Sequence, residues 1–108
     1  MHRRAVRVVP HKAITVAIEG PQRARSYGIV ANISEGGACV LIDASLPLGE
    51  NLVLELSLFR EAQVVPAAGR VVWSSGNRDA GAVRYGLKWA PRPGDDRLRD
   101  LIQQAGVN

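Results

Sequence analysis

The sequence predicts a mainly β fold: a six-stranded antiparallel barrel with one C-terminal α-helix and a flexible basic N-terminal arm. Apolar residues recur at every second position along most of the chain, which is the pattern of strands with one buried face. Clusters of Gly, Pro, Ser and Asn interrupt this pattern at short intervals. Because an open six-stranded sheet in only 108 residues would leave exposed edges, we expect the sheet to close.

Three strands are predicted in the first half of the chain. Lys12–Glu19 has apolar residues at positions 14, 16 and 18. A loop over residues 20–25, marked by Gly and Pro, separates it from Tyr27–Ile33, whose odd-numbered residues are apolar and share one face. A turn over residues 34–37 then leads to a short apolar strand, Ala38–Asp43.

Three further strands are predicted in the second half. Asn51–Leu58 carries a leucine at every second position. A long strand, about Ala62–Ser74, contains Pro66, which predicts a bulge or an edge position because proline donates no hydrogen bond. A polar turn over residues 75–79 precedes the last strand, in which alternate residues of Val83–Trp89 are apolar.

The C-terminus changes to a helical period. Apolar residues recur there at i, i+3, i+4 and i+7, which are Leu98, Leu101, Ile102 and Ala105. Asp95 is predicted to cap this helix, with Asp96 in its first turn, and Gly106 is a natural stop. We expect the helix to cover an opening or flank of the barrel. The chain is therefore predicted to be one domain over residues 1–108, with an arm (1–11), a barrel (12–90) and a helix (94–105).

The basic residues are concentrated at one end of the chain. Residues 1–28 hold six basic residues and one acidic residue, whereas residues 29–108 hold eight basic and nine acidic ones. Such a segment indicates an anionic partner, which could be nucleic acid, a nucleotide or a membrane headgroup, although a solvated tail has the same composition. Cys39 is the single cysteine, which excludes a disulfide framework and a multi-cysteine zinc site. We find no signal peptide or membrane-spanning run and expect a cytoplasmic protein without membrane insertion.

Two short motifs carry the functional prediction. The first is Arg3-x-x-x-Arg7 with Arg4 between, a spacing that twelve arginines produce about once by chance. The second is Asn32-x-Ser34-x-x-Gly37, for which the composition predicts only about 0.05 chance matches. An Asn and a Ser two positions apart on extended chain present their polar groups on the same face.

With both motifs, the chain resembles the PilZ domain, a bacterial receptor module for cyclic di-GMP. The family pattern is RxxxR in an N-terminal arm, followed by [D/N]xSxxG within a six-stranded barrel. The resemblance covers essentially the whole chain, and Asn32 departs mildly from it because aspartate is commoner there. Further blocks look like family blocks in the same order: Gly36-Gly37-Ala38-Cys39-Val40, Leu46-Pro47-Leu48-Gly49-Glu50, Gly69-Arg70-Val71-Val72-Trp73 and Tyr85-Gly86-Leu87-Lys88-Trp89.

The resemblance implies a ligand and a set of contacts. Arg3 and Arg7 are the implied anchors, and Arg4 is a further contact, because a guanidinium binds phosphate or the guanine O6/N7 edge bidentately. Asn32 and Ser34 would bind guanine edges or hold the arm. Gly36 and Gly37 would let the ligand approach the backbone closely and would offer it their N–H groups. Trp73 would provide a surface on which a base can stack.

Each of these residues also has a structural interpretation. Arg3, Arg4 and Arg7 could be a solubilising tail, and Asn32 and Ser34 could stabilise a turn. Trp73 could pack in the core or against the helix. No metal is expected, because the two histidines lie outside any ligand cluster, and no cofactor is implied besides the ligand itself.

The resulting hypothesis is a non-enzymatic cyclic di-GMP receptor whose arm becomes ordered on binding and presents a new surface to a downstream protein. No catalytic set is recognisable in the sequence. One alternative is an adapter of the same fold that binds protein without nucleotide. Another is a basic barrel that binds single-stranded nucleic acid, although aromatic residues make up only 5% of the chain and such binders need stacking platforms.

Overall fold

The computed structural model describes residues 9–20, 23–79, 81–91 and 94–106. Six antiparallel strands form a closed barrel in the order β1-β2-β3-β6-β5-β4, which confirms the predicted fold class. The elements are β1 (Ile14–Gly20), β2 (Arg23–Ile33), β3 (Gly37–Ile42), β4 (Asn51–Leu58), β5 (Val64–Asp79), β6 (Ala82–Trp89) and α1 (Arg97–Gly106).

The core is formed by the inward faces of all six strands. In β1, β4 and β6 the buried positions are those that the alternation predicts, including Ile14, Leu54 and Leu87, each at most 2% exposed. Burying one such aliphatic side chain stabilises the fold by roughly 1.5–3 kcal/mol. The regular alternation of these strands therefore fixes which of their residues face outward.

A bulge in β2 overturns the predicted face of that strand. Tyr27 is 57% and Ile29 51% exposed, whereas Ile33 is fully buried. The register shifts between Val30, which pairs with Val40, and Asn32, which pairs with Cys39. An extra residue at a bulge reverses the inside–outside phase of the residues after it, so Ile33 enters the core although Tyr27 and Ile29 face outward.

The long strand β5 also differs from the prediction. It runs from Val64 to Asp79, so the predicted polar turn at 75–79 is wrong. That segment remains paired with β6 up to Asp79↔Ala82, and the strands reverse beyond it near Gly81, whose φ is 86°. Polar residues do not prevent strand pairing in a hairpin arm, because its backbone hydrogen bonds need no buried face.

Pro66 lies where one edge of β5 is not yet paired, and β2 begins earlier than predicted. Pro66 pairs with Glu55 without a shift of register, in the part of β5 that precedes its pairing with β6 at Gly69. The edge interpretation therefore holds, and the bulge interpretation does not. The predicted loop at 20–25 is shorter than expected, because β2 already begins at Arg23, which pairs with Gly20.

The C-terminal helix seals one end of the barrel. Asp95 Oδ1 accepts the Arg97 N–H at 3.0 Å, as predicted for a capping residue. The helix begins later than the predicted 94, at Arg97, so Asp96 precedes the first turn, and Gly106 is its last residue. The Asp95 carboxylate also raises the pKa of the Arg97 guanidinium through a side-chain hydrogen bond. Of the predicted apolar stripe, Leu101, Ile102 and Ala105 are buried and Leu98 is partly buried against the core. Among the described residues, no helix is long enough to cross a membrane, because α1 has only ten residues.

Candidate functional site

The turn between β2 and β3 is held together by Ser34. Its hydroxyl oxygen accepts the N–H groups of Gly36 at 3.2 Å and of Gly37 at 3.3 Å. The Ser34 N–H donates to the Gly37 carbonyl at 2.8 Å, and the side chain is only 4% exposed. Ser34 therefore shapes the turn, as the structural interpretation predicts, and its hydroxyl faces the turn backbone.

Trp89, at the end of β6, forms two hydrogen bonds to this turn. Its indole Nε1–H donates to the Ser34 carbonyl at 3.0 Å, and its backbone N–H donates to the Gly36 carbonyl at 3.0 Å. The side chain is 7% exposed, so these bonds form in a largely water-excluded environment. The turn is therefore fixed to the barrel by β6 as well as by its own hydrogen bonds.

The two adjacent glycines of the motif have different surroundings. A Cβ atom on Gly37 would lie 2.2 Å from the Leu87 carbonyl oxygen, because β3 and β6 approach closely there. A Cβ atom on Gly36 would meet only Ser34 Oγ, at 3.8 Å. Gly37 is thus required by the barrel, and the exposed backbone that a ligand could approach is that of Gly36.

Four strands place Asn32 and Trp73 in one row on the outside of the barrel. Asn32 pairs with Cys39, Cys39 with Gly86, and Gly86 with Trp73. Paired residues point to the same side of a sheet, and neighbouring strands are roughly 4.7–4.9 Å apart. We call these four residues the outer row. The row unites two of the predicted site residues that are 41 positions apart in the sequence.

Both ends of the outer row lie at β-bulges. One register shift falls between Val30 and Asn32 in β2, and another between Val71 and Trp73 in β5. Bulges turn side chains away from their regular directions and are common next to functional sites. At the β5 bulge, Val72 and Trp73 are both 50% exposed although they are consecutive.

Gly86, in the middle of this surface, has Trp73 and Val72 packed beside it. A Cβ atom there would lie 3.3 Å from Trp73 Cβ and 3.9 Å from Val72 Cγ2, so both side chains border the glycine. Trp73 is half-exposed and packs beside Gly86, which excludes the interpretation of Trp73 as a buried core residue. A half-exposed indole next to a side-chain-free position is accessible to a planar ring.

Sequence reasoning missed the cations that surround the outer row. Arg84 and Lys88 flank Gly86 on the outward face of β6, and both are exposed. Arg70 of β5 pairs directly with Lys88. The signal was present in the sequence, since the predicted burial of Val83, Tyr85, Leu87 and Trp89 requires the residues between them to face outward.

The start of β1, which follows the arm in sequence, lies at the same end of the barrel as the turn. In an antiparallel barrel the start of β1, the β2–β3 turn and the end of β6 share one end. The backbone N–H groups of His11 and Lys12 donate to the Ala105 carbonyl at 2.8 and 3.3 Å, so the chain enters β1 from the C-terminus of α1. Arg3, Arg4 and Arg7 lie outside the described residues.

Comparison with known proteins identifies the family. The family model of the PilZ domain matches residues 1–105, which include both motifs. The chain belongs to the PilZ domain family. No curated protein matches the sequence of this PilZ domain.

Solved structures share the fold of this PilZ domain at low sequence identity. The PilZ domain of YcgR from Escherichia coli, solved with c-di-GMP, matches with a TM-score of 0.76 and 16% identity, over 97% of this chain and 92% of that one. The Bacillus subtilis inhibitor of motility MotI/DgrA matches with a TM-score of 0.68 and 22% identity, over 97% of this chain and 50% of that one. YcgR from E. coli in complex with c-di-GMP matches with a TM-score of 0.70 and 14% identity, over 94% and 43%. This chain therefore spans about half or less of the two longer proteins.

Within the described residues, the PilZ barrel holds no cluster of three or more His, Cys, Asp or Glu side chains that could bind a metal ion. The outer row and the exposed cations beside it present hydrogen-bonding, aromatic and cationic groups. Such groups bind and orient a ligand, and those best suited to them are planar rings and anions.

Proposed function

We propose that this domain is a non-enzymatic, cytoplasmic receptor for cyclic di-GMP. The observation that carries the proposal is the outer row, which sets the Asn32 amide and the Trp73 indole on one surface beside the Ser34–Gly37 turn. Family membership supports the ligand, and the two E. coli structures that share the fold contain it. The arginine motif precedes β1 in the sequence, and β1 begins at the same end of the barrel as that turn.

The ligand has two phosphates and two guanine bases, and arginine can recognise both. Arg7 is four residues from His11, which the Ala105 carbonyl holds in place. Fully extended chain spans at most about 3.6 Å per residue, so the Arg7 Cα lies within roughly 14 Å of the His11 Cα. Arg3 and Arg4 reach farther. We assign Arg3 and Arg7 as phosphate or guanine anchors and Arg4 as a further contact.

The barrel contributes complementary contacts. The Asn32 side chain offers an amide donor and acceptor to a guanine edge, and Trp73 offers a face for stacking. Ser34 and Gly37 act by holding the turn, because the Ser34 hydroxyl is buried and Gly37 packs against β6. Gly36 allows the ligand to approach the backbone.

The proposed signal arises because the arginine motif and the outer row belong to separate parts of the chain, which the ligand joins. Clustered arginines repel one another until an anion neutralises them, and a ligand held by both arm and barrel fixes the arm against the outer row. The ordered arm and bound nucleotide form a surface that exists only in the complex. We propose that a downstream protein recognises that surface.

Isothermal titration calorimetry with cyclic di-GMP tests the proposal, with GTP and cyclic di-AMP as ligand controls. We expect saturable binding of cyclic di-GMP alone. Arg7→Ala should weaken it by roughly 10- to 100-fold, the value of a bidentate contact. Arg25→Gln is the matched control, because Arg25 already pairs with Glu19 and Glu55 on another part of the barrel. Equal affinity of Arg7→Ala and the wild type would refute the assigned anchor.

A further inference from the structure

The outward face of β6 presents two cations on either side of a gap. Arg84 and Lys88 are exposed, and Gly86 lies midway between them with no side chain. At about 3.3 Å per residue, their Cα atoms are roughly 13 Å apart along the strand. Neither side chain forms an ion pair with any residue that the structure describes.

A third cation lies directly across from Lys88. Arg70 of β5 is its cross-strand partner, and like charges in that position repel. On their other sides both cations have neutral cross-strand partners. Lys88 pairs with Gly37 of β3, and Arg70 pairs with Asn51 of β4. The row Gly37–Lys88–Arg70–Asn51 therefore holds two positive charges and no negative one.

This basic row lies next to the outer row. Lys88 is two residues from Gly86 and Gly37 is two residues from Cys39, which places the rows about 7 Å apart on the same surface. A surface cavity of about 480 Å³ is bordered by Arg70 and Lys88, and neither Arg84 nor the outer row borders it. The repulsion between these cations is offset when an anion is shared between them.

We propose that Arg84 and Lys88, with Arg70, form a second anion-binding element that contacts a phosphate of the ligand from the barrel side. This inference rests on the proposed function. A phosphate bridging arm and barrel has enough oxygens to accept hydrogen bonds from the arm arginines and from β6 together. Because Gly86 has no side chain of its own, a ligand stacked on the neighbouring Trp73 can approach both cations.

The test is calorimetric titration of Arg84→Gln and Lys88→Gln with cyclic di-GMP, each compared with the wild type and with Arg25→Gln. Arg25 pairs with residues of β1 and β4, and β1 is three strands from β6 in either direction around the barrel. We expect roughly 10-fold weaker binding for each β6 variant, the value of a hydrogen bond to a charged group. The control should bind like the wild type.

The outcomes separate this inference from the proposed function. A wild-type domain that binds cyclic di-GMP while both β6 variants bind equally well would overturn the second element alone. A wild-type domain that fails to bind would overturn the proposed function and the inference with it. Circular dichroism on each variant shows whether the barrel is intact, and the exposed positions of the substitutions predict that it is.

A second measurement needs no ligand. Because Lys88 and Arg70 repel each other, Lys88→Gln should melt at a higher temperature than the wild type in low salt. The difference should shrink as salt screens the repulsion. An unchanged or lower melting temperature for Lys88→Gln in low salt would contradict the view that Lys88 and Arg70 repel each other.

Discussion

Replacing Gly37 with alanine should destabilise the fold, whereas replacing the adjacent Gly36 should leave its stability almost unchanged. In Gly37→Ala the new Cβ atom would lie 2.2 Å from the Leu87 carbonyl oxygen, which is backbone and cannot rotate away. Side-chain Cβ atoms essentially never approach other atoms within 3.0 Å, so β3 and β6 must separate by about 1 Å. In Gly36→Ala the nearest atom is Ser34 Oγ at 3.8 Å, an ordinary contact.

The size of the difference follows from this geometry. Overpacking costs roughly 1–3 kcal/mol, and a weakened ladder hydrogen bond about 1 kcal/mol more. We expect Gly37→Ala to lose about 2–4 kcal/mol of unfolding free energy and Gly36→Ala to stay within about 0.5 kcal/mol of the wild type. In thermal unfolding followed by circular dichroism, Gly37→Ala should melt at least about 8 °C lower. Equal melting temperatures for the two variants would refute the argument that Gly37 serves the barrel.

Three further substitutions test other parts of the account. Ser34→Ala should lower the unfolding free energy by about 1–3 kcal/mol in urea titrations, because two turn N–H groups lose their acceptor. Tyr85→Phe should cost about 1–3 kcal/mol by the same assay, because the Tyr85 hydroxyl donates to the Ala44 carbonyl and accepts the Leu46 N–H; wild-type stability would show that neither bond matters. Trp73→Ala should weaken cyclic di-GMP binding about 10-fold with little change in melting temperature, because a half-exposed indole contributes more to stacking than to the core; the reverse pattern would make Trp73 structural.

The strands and the helix are predictable because their signals are local. Alternation in β1, β4 and β6 reflects burial of one face, and the Asp95 cap reflects unpaired N–H groups in the first turn of α1. The predicted common face of Tyr27 and Ile33 is wrong because a bulge depends on how two strands pair, and one strand by itself does not contain that information. The extension of β5 through Asp79 escapes prediction for a similar reason, since its polar residues are held by pairing with β6.

The site is predictable in its residue types but not in its arrangement. The spacing of Asn32 and Ser34 predicts both on one face of a strand, yet the turn buries the Ser34 hydroxyl and leaves Asn32 on the outer row. Trp73 joins that row through the registers of three strand pairs, which are long-range properties of the barrel. Arg84 and Lys88 are absent from the predicted site because alternation predicts only that they face outward, whereas their position beside the outer row depends on the pairing of β6 with β3 and β5.

The central claim is that cyclic di-GMP binds on the outer row beside the Ser34–Gly37 turn. It is tested most directly by following backbone and indole N–H resonances during a titration of the isotopically labelled domain with cyclic di-GMP. We predict saturating shifts at Asn32, Gly36, Gly86 and the Trp73 indole, with Ala17 of β1 unchanged across the barrel. Shifts centred on β1, or none at all at saturating ligand, would contradict the claim.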